Sequence, residues 1–174
     1  MKIVTKTNRL NLREAILKDW GFIHELVNTA KWKKHIGDRG IYDQAATENY
    51  INNSLINSYK VNGYGLFVME LKEENKSIGI CGLVNRPGLN HPDLGFAILP
   101  EFERLGLTFE ASKEIIEWAK NKLSFTTLLA ITSPENIASQ KLLEKLNFKD
   151  RKLIRLKSNE TESVLYTMKL NSLE

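Results

Sequence analysis

The sequence predicts a single α/β or α+β domain, residues 1–174, built as a sandwich around one mixed sheet. Segments with an apolar side chain at every second position precede, separate and follow segments whose apolar residues recur at helical spacing. No internal repeat and no linker rich in proline, glycine or serine divides the chain. A chain of 174 residues also supports one hydrophobic core better than two.

The N-terminal third is predicted to hold one strand and two helices. Leu10–Arg13 alternates apolar and polar side chains, which is typical of a strand with one buried face. Asp19 is a candidate N-cap for a helix whose apolar residues in 22–27 lie on one side. A second helix is predicted to begin near Thr47, after a polar connection, 31–44, that carries aromatic residues.

The middle of the chain is predicted to form an antiparallel hairpin followed by a third strand. The hairpin pairs Tyr64–Leu71 with Ser77–Val84 through a polar turn at 73–76. A loop rich in proline, glycine and asparagine leads into the mostly apolar strand Asp93–Leu99, which Pro100 ends.

The C-terminal third is predicted to alternate helix and strand. The longest helix runs from Leu107 to Leu123, with charged residues on the face opposite its apolar ones. A short buried strand, Leu128–Ile131, a helix over 136–146 and an alternating strand over 164–170 follow.

The charge pattern argues against nucleic acid as a direct partner. Lys and Arg number 25 and Asp and Glu 21, which gives a net charge of +4. Basic runs such as Lys31–Lys34 are followed closely by acids, whereas a nucleic-acid footprint gathers its cations on one face.

Cysteine usage and hydropathy predict the compartment. Cys81 is the only cysteine and lies in an apolar run, 78–84, so we expect a buried thiol in a reducing compartment. Residues 1–11 lack an apolar stretch of signal-peptide length, and no run of about 18 apolar residues occurs. We expect a cytoplasmic protein that does not associate with membranes.

The junction around Gly106 is a candidate anion site. A strand ends at Pro100 and a long helix begins at Leu107, so the unpaired N–H groups and the positive dipole of the helix start lie there. Gly106 allows a tight turn and a close ligand, and Arg104 adds positive charge. The alternative is that Gly106 serves the turn alone.

A second candidate segment opens the helix over 136–146. Asn136 is a candidate N-cap and Ser139 follows it by one turn, so both side chains can face one cleft. Their alternative role is capping only. Asn147 is expected to end the helix in a left-handed conformation.

Four segments resemble the GNAT superfamily of acetyltransferases, and the resemblance covers almost the whole chain. The run DLGFAILPEF at 93–102, continuing to Glu110-Ala111, is similar to the family's cofactor-binding segment. The runs PENIAS at 134–139 and LEKLNF at 143–148 resemble the motif that follows it in the RimJ/RimL ribosomal-protein acetyltransferases, and RLNLR at 9–13 fits the same branch.

The resemblance implies a mostly antiparallel sheet, splayed between 93–99 and 128–131, with helices on both faces. It implies acetyl-CoA as co-substrate and no metal. The backbone of Phe96 and Ile98 would bind the acetyl carbonyl and the pantetheine, and Asn136 would also hydrogen-bond the pantetheine. The pyrophosphate would lie on the loop formed by Arg104, Leu105, Gly106, Leu107 and Thr108.

The reaction implied is transfer of the acetyl group to a primary amine, on a small molecule or a protein N-terminus, by direct attack on the thioester. Ser139 would lie near the sulfur and protonate the leaving thiolate. Asp93 is the preferred candidate for the base that deprotonates the amine, with Glu101, Glu70 and His91 as alternatives.

In the fold that the resemblance implies, the connection 31–44 lies beside the site of the acceptor amine. Trp32, His35 and Tyr42 in the connection 31–44, together with His91, are candidate substrate-binding residues. Their alternative role is to cover the edge of the sheet. The sequence leaves open which amine is the acceptor and whether the chain forms a homodimer.

One departure from the family pattern keeps a second hypothesis open. Of the family's loop signature only Gly106 remains, and Glu103 lies where a phosphate is expected, so its carboxylate should turn outward. Glu103, Leu105 and Thr108 together favour the alternative, a non-catalytic relative that senses an acyl-CoA or binds a protein.

Overall fold

An eight-stranded sheet forms the centre of the chain in a computed structural model that describes residues 1–156 and 161–170. Neighbouring strands run antiparallel except β5 and β6, which are parallel. The order across the sheet is β1-β2-β3-β4-β5-β6-β8-β7. The strands are β1 Ile3–Lys6, β2 Leu10–Arg13, β3 Leu66–Leu71, β4 Lys76–Val84, β5 Asp93–Ile98, β6 Thr127–Thr132, β7 Lys149–Ile154 and β8 Ser163–Lys169.

Helices cover both faces of this sheet. The apolar residues of the first four helices pack against Val68, Ile80 and Leu99 on one face. The fifth and sixth pack on the other face against residues such as Cys81, Leu128 and Tyr166. The helices are α1 Trp20–Asn28, α2 Ala30–His35, α3 Gln44–Tyr50, α4 Asn57–Asn62, α5 Leu107–Leu123 and α6 Ile137–Lys145, and a π-helical turn, Ile51–Ile56, joins α3 to α4.

The two parallel strands meet at one end only. Asp93 pairs with Leu129, and the Leu129 N–H donates to the Pro92 carbonyl at 2.9 Å. Within the described residues no further pair joins β5 to β6, although each keeps a long ladder with its other neighbour. The predicted fold class and the predicted splay of the sheet are both confirmed.

The structure corrects four expectations about the elements. Two strands, β1 and β7, were not predicted, and α2 lies inside the segment predicted as a connection. Asp19 precedes α1 but does not cap it, because its carboxylate instead accepts hydrogen bonds from the Arg13 guanidinium and the Ile16 N–H. The helix predicted near Thr47 begins at Gln44, where Asp43 caps it.

Candidate active site

The gap between β5 and β6 exposes backbone groups in the interior of the sheet. The Leu99 N–H donates to Ile78 on β4, and alternate residues of a strand face the same neighbour. Gly95 and Ala97 therefore also face β4. The N–H and carbonyl groups of Phe96 and Ile98 point the other way, into the gap, while their side chains pack on the α5 face.

The open end of this gap leads to the start of α5. Gly106 has a φ of +77° and is the last residue before the helix, and Arg104 also adopts a positive φ, +61°. The 17 residues of α5 give it a full dipole, and its first N–H groups lack partners within the helix. The junction thus has the turn and the helix start that the sequence predicts, and the binding of an anion there stays a prediction.

The charges around the junction favour an anion. The Glu103 carboxylate forms an ion pair with Lys31 of α2, so its charge is neutralised outside the loop. The Arg9 guanidinium donates to the Leu105 carbonyl at 3.0 Å, and its Nη2 lies 3.6 Å from the place a Cβ on Gly106 would occupy. Arg9 therefore brings a guanidinium to the loop, and it shares its charge with Glu110.

Glu110 holds Arg9 in this position. Its carboxylate accepts from Thr7 Oγ1 at 2.5 Å, from the Arg9 N–H at 2.9 Å and from Arg9 Nε at 2.7 Å. Partial burial alone would raise the pKa of Glu110, but these hydrogen bonds and the Arg9 charge lower it below its ordinary value. Glu110 is therefore a stable anion in the first turn of α5.

The start of α6 lies after β6, on the far side of the gap from α5. Asn136 caps the helix, its Oδ1 accepting from the Ser139 N–H at 3.1 Å, and Ser139 is half-buried. Asn147 ends the helix segment with a φ of +69°. The predicted capping roles of Asn136 and Asn147 are confirmed.

Asp93 lies at the point where β5 and β6 separate. It is 1% exposed, and its carboxylate accepts from Arg86 Nε at 3.2 Å and Nη2 at 3.1 Å. Burial raises the pKa of Asp93, and the Arg86 charge and hydrogen bonds oppose the rise only in part. Of the other candidate bases, Glu70 is bound by Arg13 at 2.7 Å and Glu101 is exposed.

Helix α2 lies across the open end of the gap. Besides the Lys31–Glu103 pair, Lys34 Nζ lies 4.0 Å from Glu135 Oε2, directly before the α6 cap. One short helix is thus tied to the loops that begin both α5 and α6.

Four residues were predicted to bind the acceptor amine. Trp32 Nε1 and His35 Nδ1 are buried atoms without a hydrogen-bond partner, three positions apart and so on one side of α2. Tyr42 is exposed and its hydroxyl donates to Asp38 at 2.6 Å. His91 lines a cavity of about 440 Å³ beside β6. The structure therefore does not bring all four together.

Sequence reasoning overlooked Arg9, Lys31 and Glu110 as parts of the site. Their partners lie 96, 72 and 101 positions away in the chain, and no local pattern signals such contacts. The only available signal was that Arg9 and Glu110 both belong to segments that resemble family motifs.

Comparison with known proteins agrees with this geometry. A family model described as an acetyltransferase (GNAT) domain matches residues 9–149, so the chain belongs to the GNAT acetyltransferase family. The predicted family and enzyme class are confirmed.

Individual relatives are distant. The N-acetyltransferase YnaD of Bacillus subtilis, itself uncharacterised, is 25% identical over 149 residues, which span 86% of this chain and 83% of the relative. An acetyltransferase structure from Agrobacterium tumefaciens is 24% identical with a TM-score of 0.79, covering 98% and 95% of the two chains.

A coenzyme A complex of RimL, a ribosomal L7/L12 alpha-N-protein acetyltransferase, has a TM-score of 0.81 at 16% identity and covers 97% and 98% of the two chains. This likeness is one of fold.

No helix in 1–156 or 161–170 has both the length and the apolar character needed to cross a bilayer. In the same residues, no group of three or more histidine, cysteine, aspartate or glutamate side chains is arranged to hold a metal ion.

Proposed function

We propose that the chain is an N-acetyltransferase that transfers the acetyl group of acetyl-CoA directly to a primary amine. The observation that carries the proposal is the gap between β5 and β6, which leads to the N-terminus of α5. An extended arm can pair with the backbone of Phe96 and Ile98, and a diphosphate can bind the N–H groups after Gly106.

The residues around the gap support specific roles in binding acetyl-CoA. The loop Arg104–Thr108 and the Arg9 guanidinium would bind the pyrophosphate. The side-chain amide of Asn136 would bind the pantetheine, since its Oδ1 is used by the cap and its amide N–H groups remain donors. The chemistry that acetyl-CoA supplies is a thioester, whose carbonyl oxygen gains negative charge on attack.

The chain's own groups would carry the proton transfers. A backbone N–H of Phe96 or Ile98 would stabilise the oxyanion. Asp93 would remove a proton from the amine, because its raised pKa brings it closer to the range of an effective base. Ser139 would protonate the departing thiolate.

The acceptor amine would enter from the face that carries α2. The unpartnered atoms Trp32 Nε1 and His35 Nδ1 of α2 support entry from this face, and the cavity at His91 is a separate feature that no α2 residue lines. The exposed position of Tyr42 supports only a peripheral role. A protein N-terminus, as in the RimL relatives, and a small amine are the two classes of acceptor to be compared.

The proposal is tested by calorimetry with acetyl-CoA, followed by a thiol-release assay with a panel of amines and N-terminal peptides. We expect saturable binding and thiol release that requires an amine. Absence of binding at millimolar acetyl-CoA contradicts the proposal. Binding without acetyl transfer to any member of the panel instead supports the alternative, an acyl-CoA sensor. The charge of Glu103 was one argument for that alternative, and the ion pair of Glu103 with Lys31 weakens this argument.

A further inference from the structure

The cavity beside β6 opens on the face of the sheet opposite α5 and α6. Leu128 and Ala130 point into the core under α5, so the intervening side chains of β6 point to the other face. Thr127 and Leu129 form the wall there, together with Leu165 and Thr167 of β8. Its volume of about 440 Å³ lies in the range of sites for small molecules.

The wall of this cavity reaches the gap in the sheet. Leu129 is the residue that pairs with Asp93. Paired residues of neighbouring strands point their side chains to the same face, so the Asp93 carboxylate lies next to the Leu129 side chain. Asp93 itself is 1% exposed and does not line the cavity, so a molecule there can bring an amine to Leu129, the strand neighbour of the proposed base.

The charged side chains among the described residues of the cavity lining are all basic. Arg155 and Lys169 are cations, and none of the described lining residues is acidic. Arg155 is paired with Glu162 at 3.2 Å, whereas no described carboxylate pairs with Lys169, whose Nζ lies 3.2 Å from Thr127 Oγ1. The wall is about as polar as it is apolar, with Asn90, His91 and Thr167 also lining it, and the Lys169 ammonium beside the Thr127 hydroxyl forms a suitable site for a carboxylate.

The register of the sheet gives the spacing of the backbone positions that carry the two ends. Thr127 pairs with Lys169, and Leu129 lies two residues further along β6. Two residues of a strand span about 7 Å. An extended aliphatic chain advances roughly 1.2 Å per bond, so about five or six bonds connect the two positions.

We propose that the acceptor is a small amine carrying a carboxylate about five bonds from its nitrogen, with Lys169 and Thr127 binding the carboxylate. This inference rests on the proposed function and specifies its substrate class. The apolar side chains of Leu129 and Leu165 contact the methylene groups between the two polar ends.

The experiment compares acetyl-CoA-dependent thiol release with 5-aminopentanoate and with pentylamine, which lacks the carboxylate. We expect a KM at least about tenfold lower for 5-aminopentanoate, because a charge-assisted hydrogen bond contributes about that factor. Shorter and longer amino acids, 3-aminopropanoate and 8-aminooctanoate, should have higher KM values.

The matched variants are Lys169→Gln and Lys122→Gln, the latter an exposed lysine in the last turn of α5. Lys169→Gln should raise the KM for 5-aminopentanoate about tenfold and leave that for pentylamine unchanged, while Lys122→Gln should alter neither. Thr127→Val provides a second variant with a smaller effect of the same kind.

The outcomes separate this inference from the proposed function. Equal KM values for the two amines, or transfer to N-terminal peptides alone, overturn the inference and leave the acetyltransferase intact. An unchanged KM for 5-aminopentanoate in a folded Lys169→Gln variant also overturns it. Only a failure to bind acetyl-CoA, or to transfer acetyl to any acceptor, removes both.

Discussion

Ser139 and Glu110 each lie in the first turn of a helix, but their surroundings give them different parts to play. Ser139 donates its backbone N–H to the Asn136 cap, so its half-buried hydroxyl takes no part in the cap. The Glu110 carboxylate is fully engaged by Thr7 and Arg9. One side chain is available for chemistry, and the other organises a neighbouring cation.

Substitution of Ser139 by alanine should lower kcat about a hundredfold and leave the KM for acetyl-CoA nearly unchanged. A general acid contributes at least about that factor, whereas the cap uses only the Ser139 backbone. Initial-rate kinetics with thiol release as the readout tests this. Ser54→Ala, at an exposed helical position, is the control, and an unchanged kcat for Ser139→Ala excludes it as the acid.

Substitution of Glu110 by glutamine should destabilise the chain by about 1 kcal/mol at neutral pH. The folded-state pKa of Glu110 is lowered from its ordinary 4.5, so its contribution is present above that pH and is lost as the pH falls through the folded value. Denaturant unfolding at pH 7 and pH 3 measures this.

The difference between wild type and Glu110→Gln should therefore shrink in acid. Glu117→Gln, exposed on the same helix, should have little effect at either pH. A difference that is constant with pH contradicts the assignment.

At the scale of elements, the junction of β5 with α5 depends on backbone conformation rather than on side chains. Gly106 sits in the left-handed region at the helix start, with a guanidinium close by. Gly63 has almost the same φ, +75°, at the end of α4, with no heavy atom within 4 Å of a Cβ built there. The two positions form a matched pair.

Substitution by alanine at either position should cost about 1 kcal/mol of folding free energy, because a Cβ is disfavoured at positive φ. Only Gly106→Ala should weaken acetyl-CoA binding, since the new methyl group would lie where we propose that the phosphates approach the backbone. Thermal unfolding and calorimetry of both variants provide the measurement. Equal affinities in the two variants would place the pyrophosphate elsewhere.

The accuracy of the sequence-based predictions follows the length and periodicity of the elements. The amphipathic helix Leu107–Leu123 was predicted to the residue, and the hydrophobic strands near the centre of the sheet were predicted to within two residues. The polar strand Lys149–Ile154 was overlooked because a largely exposed edge strand has no apolar alternation to detect. The six residues of α2 are too few for a helical period.

The candidate site was predictable only in part, for a related reason. Gly106 and the cap at Asn136 leave local signals, and the structure confirms both features. The prediction of the splay between β5 and β6 came from the family resemblance, since no local sequence pattern shows where two parallel strands separate. The ion pairs of Lys31 and Arg9 join distant segments and required coordinates.

At the scale of the whole molecule, a buried ion network connects the sheet to its helical layer. Arg13 of β2 donates to Glu70 of β3 at 2.7 Å and to both carboxylate oxygens of Asp19, which directly precedes α1. All three residues are less than 10% exposed. The network fixes the path by which the chain leaves the sheet for the helical layer that begins with α1.

Removal of the Arg13 side chain should destabilise the fold by about 3–5 kcal/mol, because Arg13→Ala leaves two buried carboxylates without their cation. Lys2→Ala, which breaks the exposed Lys2–Glu14 pair, should cost less than about 1 kcal/mol. Urea unfolding of both variants tests the contrast. A loss for Arg13→Ala no larger than that for Lys2→Ala would show that the network contributes little.

The separation of β5 and β6 also affects the stability of the protein in a cell. Unpaired strand edges are templates for association with other chains, and they normally occur only at the rim of a sheet. Here such edges lie in the middle of the sheet, and a bound co-substrate would occupy them and stabilise the native state by mass action. The abundance and resistance to proteolysis of this protein should then follow the metabolic supply of coenzyme A.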